Sequence, residues 1–243
     1  MFYRFVILSF SIAGLSLAQD TPEKPAEAPV KPSVKQLDET RFELGTIIFD
    51  KQSREIRFPA TVNMTQGALE YLIVHENGKV HESLLITKIS PLNLNLAFTL
   101  LKYPASRELY AEDTPQGGKV VKAPEIPQEI RTAARVSIEV EWQENGKPRR
   151  MPINEWIQHG VTAKTMAAGP WVYGASESFE GKYVPETSGD IAAIFLSNAA
   201  ILNYPGEDNG NDDVWTPFPK RLPEEGSAVT VIISPFHKPN PKP

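Results

Sequence analysis

Apolar positions along this chain fall into three regimes. Residues 5–17 form an uncharged, mostly apolar run behind a single charge, Arg4. Residues 19–37 are polar and interrupted by Pro22, Pro25, Pro29 and Pro32. From there to residue 236, short apolar, β-branched stretches alternate with polar turns. This third regime predicts strands over 42–49, 56–64, 69–74, 80–87, 136–142, 147–151, 171–175, 182–185, 190–197 and 228–234. Two pairs of these flank Asn77-Gly78 and Asn145-Gly146. Asn-Gly tolerates the positive φ of a type I′ turn, so each pair predicts a β-hairpin.

Hairpin register assigns faces, because cross-strand partners share a face and successive residues alternate. In the first hairpin Leu69, Tyr71, Ile73, His75, Val80, Glu82, Leu84 and Ile86 share the more apolar face, and His81 points the other way. His75 and Glu82 become diagonal neighbours. The two histidines cannot share one metal ion. In the second hairpin Val140, Trp142, Arg149 and Met151 share a face, with Glu141 opposite Arg150 on the other. Trp142 over Arg149 would be a cation–π contact.

Helices are few. Ser90-Pro91 offers an N-cap and a first-turn proline before a helix over 92–102, although its leucines also alternate as in a strand. Residues 154–159 end at Gly160, where a C-cap glycine belongs. Each Glu-Asn-Gly-Lys turn is thus followed by a helix candidate. That pattern fits an internal duplication, or two turns of one favoured type. Residues 103–130, rich in proline and glycine, read as a long surface excursion. The fold class is α+β and β-rich: antiparallel hairpins with a few short helices, one domain over 38–236.

The first regime has the layout of a cleaved secretory signal. Ser16-Leu17-Ala18 places small residues where a signal peptidase reads, and the run is too short for a bilayer span. The expectation is a signal peptide over 1–18 and a mature chain from Gln19 in the periplasm or outside the cell, not membrane-spanning. Residues 19–37 read as a disordered proline-rich spacer and 237–243 as a tail.

Composition narrows the chemistry. The chain has no cysteine among 243 residues, so disulfides, thiolate zinc sites, iron–sulfur clusters and cysteine nucleophiles are excluded. A formal charge of −5 with no basic stripe argues against nucleic acid as a partner.

Few polar groups stand out. Glu82 on an apolar face is unusual, since carboxylates are rarely buried unpaired. It either pairs with His75 or an arginine, or lines a cleft. Glu207, Asp208, Asn209, Asn211, Asp212 and Asp213 make an oxygen-rich loop before Trp215. Such loops suit Ca2+, but the spacing misses the EF-hand pattern, and a solvated loop is the ordinary reading. Gly174-Ala175-Ser176-Glu177-Ser178 lacks the fifth-position glycine of a nucleophile elbow. Asn63-Met64-Thr65 fits the N-glycosylation pattern.

The segments Arg57-Phe58-Pro59-Ala60-Thr61-Val62-Asn63-Met64 and Gly78-Lys79-Val80-His81-Glu82-Ser83-Leu84-Leu85 resemble the exported YdjY-like domain family. Val140-Glu141-Trp142, Gly181-Lys182-Tyr183, Ser188-Gly189-Asp190 and Asp212-Asp213-Val214-Trp215 follow in the same order. The resemblance implies a bacterial envelope protein with a shared domain, and it carries over no catalytic residue. A ferredoxin-like label sometimes attached to relatives has no thiolate here to support it.

The sequence therefore predicts a non-catalytic domain that binds an envelope partner or ligand. His75, Glu82, Asp212, Asp213 and Trp215 are the candidate binding residues, and no cofactor is implied. The alternative is a metal-dependent or acid–base hydrolase using Glu82, His75, Asp212 and Asp213. The two readings part on whether these groups share one concave site.

Overall fold

The computed structural model describes residues 33–237. The expected signal peptide, all but the end of the spacer and most of the tail lie outside them. The strands in chain order begin with β1 (Val34–Gln36), β2 (Arg41–Leu44), β3 (Ile47–Asp50), β4 (Ile56–Val62), β5 (Tyr71–His75) and β6 (Ser83–Thr87). Helix α1 (Pro91–Leu100), the small hairpin β7 (Ala111–Asp113) and β8 (Lys119–Val121), and helix α2 (Gln128–Ala133) follow. Next come β9 (Arg135–Glu144), β10 (Lys147–Pro152), β11 (Ile157–His159), β12 (Trp171–Tyr173), β13 (Ser178–Phe179) and β14 (Lys182–Tyr183). Helix α3 (Val184–Ser188), β15 (Asp190–Ala193), β16 (Leu202–Asn203), β17 (Trp215–Pro217) and β18 (Ala228–Pro235) complete the chain.

Eight strands close into a barrel in the order β4-β18-β9-β12-β16-β15-β5-β6, with β6 returning to β4 through Thr61–Ile86 and Val62–Leu85. β4 and β9 alternate: Phe58, Ile138 and Val140 point inward while their neighbours are at least partly exposed, whereas β18 is buried continuously over Val231–Ile233. A barrel of this size is just wide enough for side chains to fill. Trp156, Trp171, Phe58 and Phe98 sit in that core with almost no exposure.

The first expected hairpin is not one. β5 and β6 are parallel neighbours, Tyr71 beside Ser83 and His75 beside Thr87. Residues 76–82 double back through a 3-10 turn at Val80–Glu82. β15 and β16 are also parallel, joined by residues 194–201. Parallel pairs usually need a dozen or more connecting residues. Here the strands are so short that seven or eight return the chain to its start. The crossovers lie against the outside of the barrel, so β5 and β15 are buried on both faces. Tyr71, Val74, Ala193 and Ala200 form a second, smaller cluster there.

The second hairpin matches its reading residue by residue: Glu144–Lys147, Trp142–Arg149, Glu141–Arg150 and Val140–Met151 pair. Asn145 and Gly146 both have positive φ, 52° and 74°. Arg149 does not lie over Trp142. It pairs with Glu144 at 3.3 Å, and Trp142 packs edge-on to Trp156. The identical tetrapeptide at 76–79 has no positive φ, so the two copies are not a structural repeat.

Other expectations shift locally. Residues 42–49 are two strands turning at Gly45, φ +62°. Val34–Gln36, read as the end of the spacer, is an exposed edge strand on β2. Residues 154–159 are not a helix. Pro152 leads into a 3-10 turn, and Ile157–His159 then pairs with β17. Lys182 and Tyr183 are strand, but Val184 opens α3. The 103–130 excursion is only partly surface, since Tyr103, Ser106, Glu108 and Ala111 are buried. α1 forms as expected: the Ser90 hydroxyl accepts from Asn93 N–H, and Leu94, Ala97 and Phe98 are buried. Asn63 is no glycan acceptor surface, because its amide donates to the Val80 and Ser83 carbonyls at 2.6 and 2.8 Å.

Candidate functional site

Three chain segments meet outside β12 and β16: residues 106–110, 174–177 and 197–203. Backbone bonds fix them. Ser106 N–H donates to Tyr173 O at 2.9 Å, and Gly174 N–H to Ile201 O at 2.9 Å. The Asn198 amide brackets Ala111, accepting from its N–H at 3.0 Å and donating to its carbonyl at 2.9 Å. Asn203 ties Ser197 in the same way, 2.9 and 3.0 Å. Between the segments lies a cleft of about 30 Å³, room for one small group.

Two features of the cleft are costly. The Ser106 hydroxyl is buried and has no hydrogen-bond partner among the described residues. Such a group costs about 1–3 kcal/mol. Ala175 and Ser176 are consecutive left-handed residues, φ 62° and 60°. Neither is glycine, and each such residue costs about 1–2 kcal/mol. The Ser176 hydroxyl donates to Ala199 O at 2.8 Å and the Arg107 guanidinium donates to Ser176 O at 3.1 Å, holding the turn. Strain concentrates where surrounding structure over-determines it, often at functional sites.

The near-miss elbow motif thus lines the cleft, but Ser176 is not a poised nucleophile. Its proton is spent on a carbonyl, and no histidine is among the lining residues.

Behind the cleft lies a buried carboxylate. Asp190 Oδ2 accepts from Ser197 Oγ at 3.0 Å and from Tyr71 Oη at 3.1 Å. Burial pushes the Asp190 carboxyl above the usual range, against the two hydroxyl donors. Burial, then the Asp190 charge, pushes the Tyr71 phenol up to about 12. Lys79 lies 5.2 Å from the Tyr71 ring centre and 3.4 Å from both Glu70 and Glu82. Burial works against its ammonium, but Tyr71 and the two carboxylates outweigh that and raise its pKa. Burial and the nearby Glu82 raise Glu70.

These geometries belong to a barrel whose sequence a family model, described as YdjY domain, matches over residues 47–234. The chain belongs to the YdjY domain family. No curated protein and no solved structure matches it. The match begins at β3 and ends within β18, so it takes in all eight barrel strands and leaves β1 and β2 outside.

In this YdjY domain the residues singled out from sequence do not assemble. The parallel register places His75 beside Thr87, whereas Glu82 precedes Ser83, which sits beside Tyr71 at the other end of the pair. His75 Nδ1 instead accepts from Asn77 N–H at 3.2 Å. Glu82 finds Lys79 at 3.4 Å and His81 at 3.8 Å. Asp212 and Asp213 are exposed, and Asp213 N–H reaches back to Asn211 at 3.4 Å. Trp215 is buried edge-on to Tyr204 and His159, with its indole N–H unpartnered among the described residues. None of the five lines the cleft. Among the described residues no three His, Asp or Glu side chains converge as metal ligands, the Ca2+ candidate at 207–213 included. No described helix is long and apolar enough to cross a membrane.

Sequence reasoning missed Ser106, Arg107, Asn198, Asn203 and Asp190. Two signals pointed near them: the elbow-like Ser176 and the unusually long 103–130 excursion.

Proposed function

We propose that this YdjY domain is the working part of an exported, soluble envelope protein, periplasmic or extracellular, that binds a ligand or partner without catalysis. The charged start, short apolar run and small residues at 16–18 support export. The observation that carries the binding reading is the Ser106 hydroxyl, unpartnered at a cleft where Ser176, Asn198 and Asn203 are already bonded. The hydrolase reading needs Glu82, His75, Asp212 and Asp213 in one site, and no geometry supports that assembly.

The test is to express the chain with its own N-terminus, fractionate the cell and sequence the exported protein. A start at Gln19 in the soluble envelope fraction is expected; an uncleaved, membrane-retained chain sinks export. Mass spectrometry of what co-purifies, metals included, tests binding. Hydrolysis by the purified protein that disappears in Ser176→Ala or Glu82→Gln would overturn the non-catalytic reading.

A further inference from the structure

The ligand class rests on that binding reading. We propose that the cleft recognises an uncharged, hydroxyl-rich ligand, a sugar that inserts one hydroxyl or hydroxymethyl group and lays its ring on the rim.

Size sets the first limit. About 30 Å³ admits a hydroxymethyl group and excludes a whole ring. The floor sets the second. Ser106 lines the cleft at 1% exposure with its unpartnered Oγ closed to solvent, so a side-chain rotation into the cleft would present it to a group that donates or accepts equally well. A hydroxyl does both.

The rim sets the third. Arg107 and Glu177 are half-exposed and only loosely paired, 3.8 Å apart. Arg107 spends one N–H on Ser176 O and keeps most of its five donors free. Glu177 keeps spare acceptor sites. Spare donors thus stand beside spare acceptors with no net charge. A pair of hydroxyls accepts from the guanidinium and donates to the carboxylate. A lone anion would face Glu177 and a lone cation Arg107, each an opposing charge in the same site. Tyr110, 38% exposed, adds an aromatic surface at the same rim for the apolar face of a sugar ring.

The site is also preorganised. Asn198 is committed to Ala111 and Asn203 to Ser197, and the strained Ala175-Ser176 turn is pinned from both sides. Little ordering remains for binding to do.

The experiment is an amide-shift NMR titration of the mature protein, residues 19–243, with glucose, galactose, N-acetylglucosamine and ribose. Acetate, glycine and dialanine form a second panel. Saturable shifts at Ser106, Arg107, Ser176 and Glu177 with at least one sugar are expected. Glu177→Gln and Arg107→Gln should each weaken that binding about tenfold while the remaining spectrum is unchanged. Ser106→Ala, which removes only the floor hydroxyl, should weaken it too. Binding of acetate, glycine or dialanine at these amides without any sugar overturns the sugar assignment and leaves the binding reading standing. Absence of cleft shifts with every probe, as for a cleft that holds only an ordered water, overturns both.

Discussion

Gly78 and Gly189 meet backbone to backbone: a Cβ on Gly189 would stand 2.7 Å from the Gly78 Cα. The contact seats the β5–β6 crossover on the C-cap of α3, where His75 N–H donates to Gly189 O at 2.8 Å. It also explains why the Glu-Asn-Gly-Lys segment at 76–79 is not a hairpin turn. Its glycine serves close approach, whereas Gly146, with open space around it, serves only positive φ. Gly189 needs both, with φ +81°. Gly189→Ala should therefore cost about 2–4 kcal/mol and Gly146→Ala about 1 kcal/mol. Urea denaturation of the two variants checks this, and equal losses would mean the close approach is easily relaxed.

The contrast between those turns shows what was legible. Around Asn145-Gly146 the turn signal and the pattern agree: β9 alternates buried and half-exposed positions, β10 runs exposed beside it, and the register counted from the turn holds. Around Asn77-Gly78 the turn signal and the pattern disagree, and the pattern prevails. Tyr71-Leu72-Ile73-Val74 is a continuous apolar run, the mark of a strand buried on both faces, as parallel strands are. Barrel closure is a pairing between Val62 and Leu85 that no local window encodes. The cleft was hidden for the same reason, because Ser106, Ser176 and Asn203 are brought together by topology. Family membership was legible because the Gly78–Leu85 and Arg57–Met64 segments are local.

Glu82 should behave as a surface-network carboxylate and not as a buried partner of His75. Its neighbours are Lys79 and the half-buried Glu70, whose pKa is raised by burial and then by Glu82 itself. Glu82→Gln should lower the Glu70 pKa and change stability by less than about 1 kcal/mol. His81→Ala, a side chain 79% exposed, should fall within about 0.5 kcal/mol. Carboxyl titration by NMR and melting curves test the pair. A loss of several kcal/mol in Glu82→Gln would restore a structural role for it.

Asp190 gives a pH signature. Its folded-state pKa is raised by burial above the ordinary 3.8. A raised pKa means the folded protein binds the proton more tightly than the unfolded chain. This contribution to stability is complete below the unfolded value and is lost as pH rises through the folded one. At neutral pH the charge is therefore a net burden. Asp190→Asn keeps an oxygen to accept from Tyr71 and Ser197 and removes the charge. It should match or exceed the wild type at pH 7, with the advantage shrinking as pH falls toward 4. Stability measured against pH decides; an advantage that grows on acidification would mean the Asp190 pKa is depressed instead.

The boundary of the matched family and the boundary of the fold should not coincide. The match starts at Ile47, yet β2 pairs with β3 immediately before it. Leu44 is buried at 1% exposure, and Phe42 stacks on Phe49 at 5.6 Å with Lys51 over its ring at 3.9 Å. β1, by contrast, is exposed at all its positions and adds only ladder bonds at an edge. A chain beginning at Asp38 should melt within about 3 °C of one beginning at Gln19, because almost no apolar area is lost. A chain beginning at Ile47 loses one buried leucine and half a phenylalanine, about 3–5 kcal/mol, and should melt roughly 6–20 °C lower. It also bares β3 as an edge strand, so it should associate at high concentration where the Asp38 chain does not. Calorimetry and light scattering of the two truncations test this. If the Ile47 chain is as stable as the Asp38 chain, the barrel alone is the folding unit and β2 is an appendage.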